Sequence, residues 1–180
     1  MYAVNDNVQA IESRNRITEA LLALMKQYPY KEITITQICQ EAQIVRQTYY
    51  RNFDSKDDIL KLYLDNMIQL YFRDFYKAED VHYQLKNFFA YMLKRKEFLS
   101  LVSGNSLFFM IDERISDNVT KFLNFRQLTT ISELKYEKYV TGFIASTICS
   151  LLSLWVDNGF SESPEMLSGL AQKFLGGLNS

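Results

Sequence analysis

Six polar side chains crowd one short stretch of this 180-residue chain: Arg46, Gln47, Thr48, Tyr50, Arg51 and Asn52. None of them comes with the base, paired carboxylate or metal-ligand spacing that covalent chemistry needs, so the chemistry on offer is recognition by hydrogen bonds and charge. Arginine presents a planar fork of donors, glutamine and asparagine present a donor beside an acceptor, and hydroxyls reach phosphate oxygens. Together these groups match the phosphates and base edges exposed in a DNA major groove. Two flanking residues extend the set. Thr34 offers a hydroxyl at the start of a short helix, where free amides favour an anion. Lys56 opens the next helix, a place where a cation opposes the local dipole. A phosphate contact would give that lysine a reason to be there.

Other reactive side chains are sparse. His82 is the sole histidine and follows Glu79 and Asp80, with no partner at metal or catalytic spacing. It is expected to be exposed or to cap a helix, and an all-helical enzyme built on it is disfavoured. Cys39 and Cys149 have no companions at ligand spacing and read as reduced, buried thiols. No glycine-rich phosphate loop or nucleophile elbow stands out. Neither enzymatic activity nor a metal or cofactor is expected.

The elements that must hold the polar stretch are helical. With two prolines and six glycines, long helices dominate, and no strand-hairpin pattern or internal repeat is present. A first helix is predicted over Val8–Gln27, with Ile17, Leu21, Leu24 and Met25 facing inward, Ala20 allowing close approach, and Tyr28-Pro29-Tyr30 ending it. Thr34 and Gln37 form a Thr-x-x-Gln capping box for the second, whose Ile35, Ile38, Cys39 and Ala42 turn inward. Gln43-Ile44 makes the turn. A recognition helix then runs from Arg46 to about Asn52, anchored by Tyr49 and Phe53. Asp54 or Ser55 caps a long helix to about Lys77, whose apolar residues cover most of its circumference, as suits a connector buried on several sides. Further helices are expected near 81–94, 96–103 and 105–125, from Glu133 to Asn158 with Gly159 as stop, and from Pro164 behind a Ser163 cap to about Leu175, before Gly176-Gly177. The expectation is an all-α chain of about nine helices: a head over 1–54 and a larger body over 55–180.

Composition narrows the setting. The apolar share of 48% supports a sizeable core, and no uncharged apolar run reaches eighteen residues, so no membrane partner is expected. The first residues lack a basic stretch followed by an apolar run, which points to the cytoplasm. The net charge is −1. Residues 1–56 carry seven Lys or Arg against six Asp or Glu, a balance of +1, and the remainder −2. DNA affinity must therefore come from local placement of cations.

The run ITITQICQEAQIVRQTYYRNFDSKDDIL resembles the N-terminal domain of the TetR family of transcriptional regulators. The positions that carry the likeness are Ile33, Thr34, Ile38, Ala42, Thr48, Tyr50, Phe53 and Lys56, and it extends over about residues 10–60. The resemblance implies a three-helix head whose third helix enters the major groove. It also implies that Thr34, Tyr50 and Lys56 anchor phosphates while Arg46, Gln47, Arg51 and Asn52 face bases or nearby backbone. Two positions depart from the pattern. Gln43 replaces the usual turn glycine, at about 1 kcal/mol if it turns left-handed. Val45 replaces the usual Ser or Thr cap, which weakens the recognition helix by about 1 kcal/mol.

Beyond residue 60 the likeness thins. The spacing of Trp155, Gly159 and Ser163-Pro164-Glu165 resembles the ligand and dimer domain of members from low-GC Gram-positive bacteria. Independently, Gly142, Ala145, Ser146, Cys149 and Ser153 recur at helical spacing and make a small-residue face, flanked by Leu152 among others. With Met166 and Leu170 of the last helix, this face is expected to meet a second copy, so that two heads read two half-sites about 34–36 Å apart. Aromatic residues of the body, among them Phe88, Phe89, Phe98, Phe108, Phe109, Phe122, Phe125 and Trp155, with Met92 and Met110, could line a pocket for a small apolar or amphipathic effector. The resulting expectation is a homodimer on a double-stranded operator, a repressor released by ligand. An activator or co-regulator working through a protein partner is the alternative.

Overall fold

The computed structural model describes residues 2–75, 81–122 and 136–176. Glu79, Asp80, Lys77, Phe125, Glu133 and Gly177, and the side chains of Phe72, Phe75 and Phe122, lie outside the described residues. The described residues form nine α-helices and one 3-10 turn, and no strand. The helices are α1 (Tyr2–Met25), α2 (Ile35–Glu41), α3 (Arg46–Tyr50), α4 (Lys56–Phe75), α5 (Val81–Leu93), α6 (Lys96–Gly104), α7 (Phe108–Phe122), α8 (Glu137–Asp157) and α9 (Pro164–Gly176). The 3-10 turn, Tyr30–Glu32, links α1 to α2.

The chain divides into two compact units, Met1–Asn66 and Met67–Ser180. The division falls inside α4, so the first part of that helix groups with the head. In the first unit α1 packs on α2 and α3, and α2 on α3. Ile17, Leu21, Ile38, Tyr49, Phe53, Ile59 and Leu60 close its core. The inward face expected of α1, Ile17, Ala20, Leu21, Leu24 and Met25, is buried throughout. In the second unit α5 packs on α9, and α8 on α6, α7 and α9. Trp155 is fully buried there, its ring edge-on to Phe89 and Phe160, and its Nε1 donates to the Glu162 carbonyl at 2.9 Å.

Helix α4 is less enclosed than its composition suggested. Ile59, Leu60, Leu64, Met67, Ile68 and Tyr71 are buried, but Leu70 is exposed and Leu62 and Tyr63 only half-buried. The break after α6 also differs. Gly104 stays in the helix, and Ser106 takes the left-handed conformation (φ 58°) that ends it, so α7 begins at Phe108 rather than near 105. Leu107 N–H bonds back to Val102 C=O and Ser106 N–H to Ser103 C=O, the two bonds of a Schellman stop. Helix α8 ends the same way at Gly159 (φ 67°), and Ser163 Oγ accepts the Met166 amide at 3.2 Å to start α9. Of the described helices, α8 alone is long and apolar enough by composition to cross a membrane, over Lys138–Asp157. One of its faces is buried against α6, α7 and α9.

Candidate nucleic-acid interface

Helix α2 is only seven residues long, too short to hold without capping. The Thr-x-x-Gln box forms: Thr34 Oγ1 accepts the Gln37 amide at 3.3 Å, and Gln37 Oε1 accepts the Thr34 amide at 2.8 Å. At the other end Gln43 adopts φ 52°, the left-handed turn expected there. Ile44 N–H reaches Cys39 C=O at 2.9 Å and Gln43 N–H reaches Gln40 C=O at 3.1 Å, closing a third Schellman motif. Arg16 of α1 supplies what glycine is not there to provide. Its guanidinium donates to the carbonyls of Ala42 (2.6 Å) and Gln43 (3.0 Å), placing a cation on the negative end of α2. Sequence patterning gives no sign of Arg16, because a residue 27 positions away finds its partner only through the packing of α1 on α2.

Helix α3 spans Arg46–Tyr50, two residues shorter than expected. Arg51 is its C-cap, and the amides of Asn52 and Phe53 both fold back onto Tyr49 C=O. Val45 holds the N-cap position in an extended conformation and makes no side-chain cap bond. One face of α3 is sealed by Tyr49, whose ring lies 6.2 Å from Phe53 and 5.4 Å from Tyr50. Burial pushes the Tyr49 hydroxyl up to about 12, and among the described residues it has no hydrogen-bond partner.

The opposite face is open. Arg46, Gln47, Tyr50 and Arg51 are exposed, Tyr50 by 53%, and so is Thr34 on α2. Arg46 Nη2 donates to Thr36 Oγ1 at 2.7 Å, tying the first turn of α3 to α2 and leaving most of its donor fork unused by that bond. Thr48 and Asn52 differ from the rest. Both are half-buried, and Asn52 Nδ2 donates to the Thr48 carbonyl at 2.8 Å, so its amide turns back on its own helix.

Lys56 stands apart from the α3 face. Its ammonium donates to the carbonyls of Tyr30 (2.6 Å), Ile33 (2.9 Å) and Lys31 (3.3 Å) and lies 4.4 Å from the centre of the Tyr30 ring. Tyr30 Oη in turn donates to the Asp57 carboxylate. Burial lowers the Lys56 pKa and, with the Asp57 bond, raises that of Tyr30. Three carbonyl oxygens thus supply the reason for a cation at the positive end of α4. That helix is capped by Ser55, which shares a box with Asp58: the Ser55 amide and hydroxyl both donate to Asp58 Oδ2, at 2.9 and 2.8 Å.

In the body, the expected small-residue face of α8 splits in two. Ala145, Cys149 and Leu152 are buried in the chain's own core. Gly142 and Ser146 are exposed, and Ser153 is half-buried. The open stripe also carries Tyr139 (75% exposed), Phe143 and Leu154 (67%). On α9, Met166 and Phe174 (54%) are exposed and Leu170 half-buried. The stripe shifts because a 3.6-residue period brings positions 145, 149 and 152 together on one side and 139, 143, 146 and 154 on another. His82, at the second position of α5, bridges to α9: its Nε2 lies 3.2 Å from Glu165 Oε1, and Lys86 pairs with the same carboxylate. No group of His, Cys, Asp and Glu that could hold a metal occurs among the described residues.

Residues 17–63 match the family model for bacterial regulatory proteins of the tetR family. No curated protein matches the sequence. Among solved structures, a TetR transcriptional regulator from Streptococcus agalactiae 2603V is similar, with a TM-score of 0.68, 16% identity, and 96% of this chain and 98% of that chain covered. The dihydroxyacetone kinase operon activator DhaS is also similar, with a TM-score of 0.54, 19% identity, and coverage of 91% and 93%. At such identities the shared feature is the fold, which runs through the body as well as the head. The family match over α1–α4 falls on the head that exposes the polar face of α3, and it identifies residues 17–63 as a domain of the kind found in bacterial regulatory proteins of the tetR family.

Proposed function

We propose that this protein is a homodimeric repressor that reads a palindromic operator through α3 and is released by a small apolar or amphipathic ligand. The observation that carries the DNA-reading part is the division of α3: Tyr49 sealed in the core, and Arg46, Gln47, Tyr50 and Arg51 on its outer face. In this reading Tyr50 and Thr34 meet phosphates, and Arg46, Gln47 and Arg51 meet base edges or adjacent backbone. Thr48 and Asn52 contribute at the margin, Asn52 after releasing the Thr48 carbonyl. A protein seated in successive major grooves excludes others from the same DNA, which is the basis for repression.

Dimerisation is assigned to the open sides of α8 and α9: Tyr139, Gly142, Phe143, Ser146, Ser153 and Leu154, with Met166, Leu170 and Phe174. Exposed apolar side chains in such number favour a covering partner, and a two-fold axis would pair the face with itself. The ligand is assigned to the space among Ile68, Tyr71, Phe88, Met92, Ile115 and Ile148, an apolar lining joined by Asn118. The void there is about 20 Å3, room for one water molecule. A ligand must therefore open it, and it acts as an inducer only by binding the DNA-free arrangement more tightly. So small a void also favours a second reading, in which the regulating partner is a protein.

Selection of bound sequences from random duplex DNA with the purified chain is the test. A palindromic product is expected, and Arg46→Ala should weaken binding to it by about 1–3 kcal/mol without altering assembly. Recovery of no sequence by the chain alone would end the first reading and favour the second.

A further inference from the structure

We propose that Lys56 is a positioning residue for DNA recognition and not a phosphate contact: its ammonium locks the Tyr30–Ile33 segment, and through it α2 and α3, onto the first turn of α4. The inference rests on the reading that α3 binds DNA. An ammonium has three N–H donors. In this structure three carbonyls, those of Tyr30, Lys31 and Ile33, take them at 2.6–3.3 Å. The Tyr30 ring lies beneath the same cation, and Tyr30 Oη donates to Asp57, the next residue of α4. Two consecutive residues of α4 therefore grip one short segment, Lys56 through its main chain and Asp57 through its one buried aromatic side chain.

That segment leads directly into the recognition unit. Ile33, whose carbonyl Lys56 holds, precedes Thr34, the residue that caps α2. Helix α2 in turn fixes the start of α3 through the Arg46–Thr36 bond. A chain of short polar contacts thus runs from α4 to the polar face of α3, all within the head unit. Any displacement of the first turn of α4 must either carry α2 and α3 with it or break charge-assisted hydrogen bonds, which are about twice as strong as neutral ones. Turning Lys56 toward a phosphate would release three carbonyls together.

The test uses the full chain and the duplex that it selects from a random pool; if no duplex is selected, the DNA-binding reading fails before this one is reached. Affinity is measured across a salt series, with active protein counted by stoichiometric titration so that unfolded molecules do not register as weak binding. A residue that neutralises a phosphate contributes about one to the slope of log affinity against log salt. Lys56→Met is expected to bind about tenfold more weakly, the equivalent of one charge-assisted hydrogen bond, with an unchanged slope. Lys56→Arg keeps the charge but cannot converge a planar fork on three carbonyls, and it is also expected to bind more weakly. Wild-type affinity in either variant, or a slope that falls by about one in Lys56→Met, overturns the proposal. Should both variants fail to fold, Tyr30→Phe, which removes only the hydroxyl that holds Asp57, must still weaken binding at constant slope; full affinity in that variant refutes the lock.

Discussion

Val45 offers the sharpest test of how the recognition helix is held. It occupies the N-cap of α3 at φ −83° and ψ 152°, a conformation that serine adopts as readily, and its side chain is 66% exposed. The amides of Thr48 and Tyr49 fold onto the Val45 carbonyl at 3.0 and 3.3 Å, and no side-chain oxygen assists them. Val45→Ser would place a hydroxyl where the first-turn amides can use it, a gain of about 1 kcal/mol. Against this stands the loss of the buried third of a valine side chain, roughly 0.5 kcal/mol. The net gain of about 0.5 kcal/mol corresponds to roughly a twofold change in an equilibrium constant, rising to about fivefold if the buried methyl contributes nothing. Where this energy appears depends on the free state of α3. If the helix is already formed, urea unfolding of the head shifts and operator affinity does not; if it forms on DNA, the dissociation constant falls instead. Lower stability together with unchanged affinity would refute the reasoning, because the missing cap would then not be the weak point of α3. Higher stability with lower affinity would identify the valine methyls themselves as a DNA contact.

Three further outcomes are expected. Tyr49→Phe removes a fully buried hydroxyl that lacks a partner while keeping the ring against Tyr50 and Phe53, so thermal unfolding should show a gain of about 1 kcal/mol; a loss would mean that a buried water serves that hydroxyl. Asp58→Ala breaks the box with Ser55 and should cost about 1 kcal/mol at neutral pH. The Ser55 hydrogen bonds hold the Asp58 carboxyl below its ordinary range, so this contribution is complete above about pH 4 and fades as pH falls through the lowered value. Denaturation curves of wild type and variant should therefore converge in acid, and a constant gap would exclude the carboxylate as the cause. Leu154→Lys puts a charge on the open stripe of α8 and should turn a dimer into a monomer in sedimentation, with loss of affinity for a two-half-site operator; a dimer that persists would clear this face of the role.

Much of the head is legible in the sequence because its signals are local. The Thr34–Gln37 box, the left-handed turn at Gln43, the inward faces of α1 and α2, and the polar crowding of α3 depend on residues within one or two helical turns of each other, and each forms as the residue types demand. The stop of α8 and the start of α9 follow from Gly159 and the Ser163 cap for the same reason. The left-handed stop at Ser106 was not legible, since Gly104 two residues earlier is the better candidate on type alone.

Other features belong to the tertiary structure. Sequence spacing marks Gly142, Ala145, Ser146, Cys149 and Ser153 as one small-residue face, but packing against α6, α7 and α9 decides that Ala145 and Cys149 turn inward while Gly142 and Ser146 stay open. Arg16 finds the end of α2, and Lys56 finds the carbonyls of Tyr30, Lys31 and Ile33, across 23 to 27 residues. A charged side chain on a long flexible stem commits to a partner only when the backbone has brought one within reach. The residue types of this chain alone determined that it has a short helix with a polar face and a capped partner beside it. Only the folded packing decided which cations are left on that face and which are consumed in holding it.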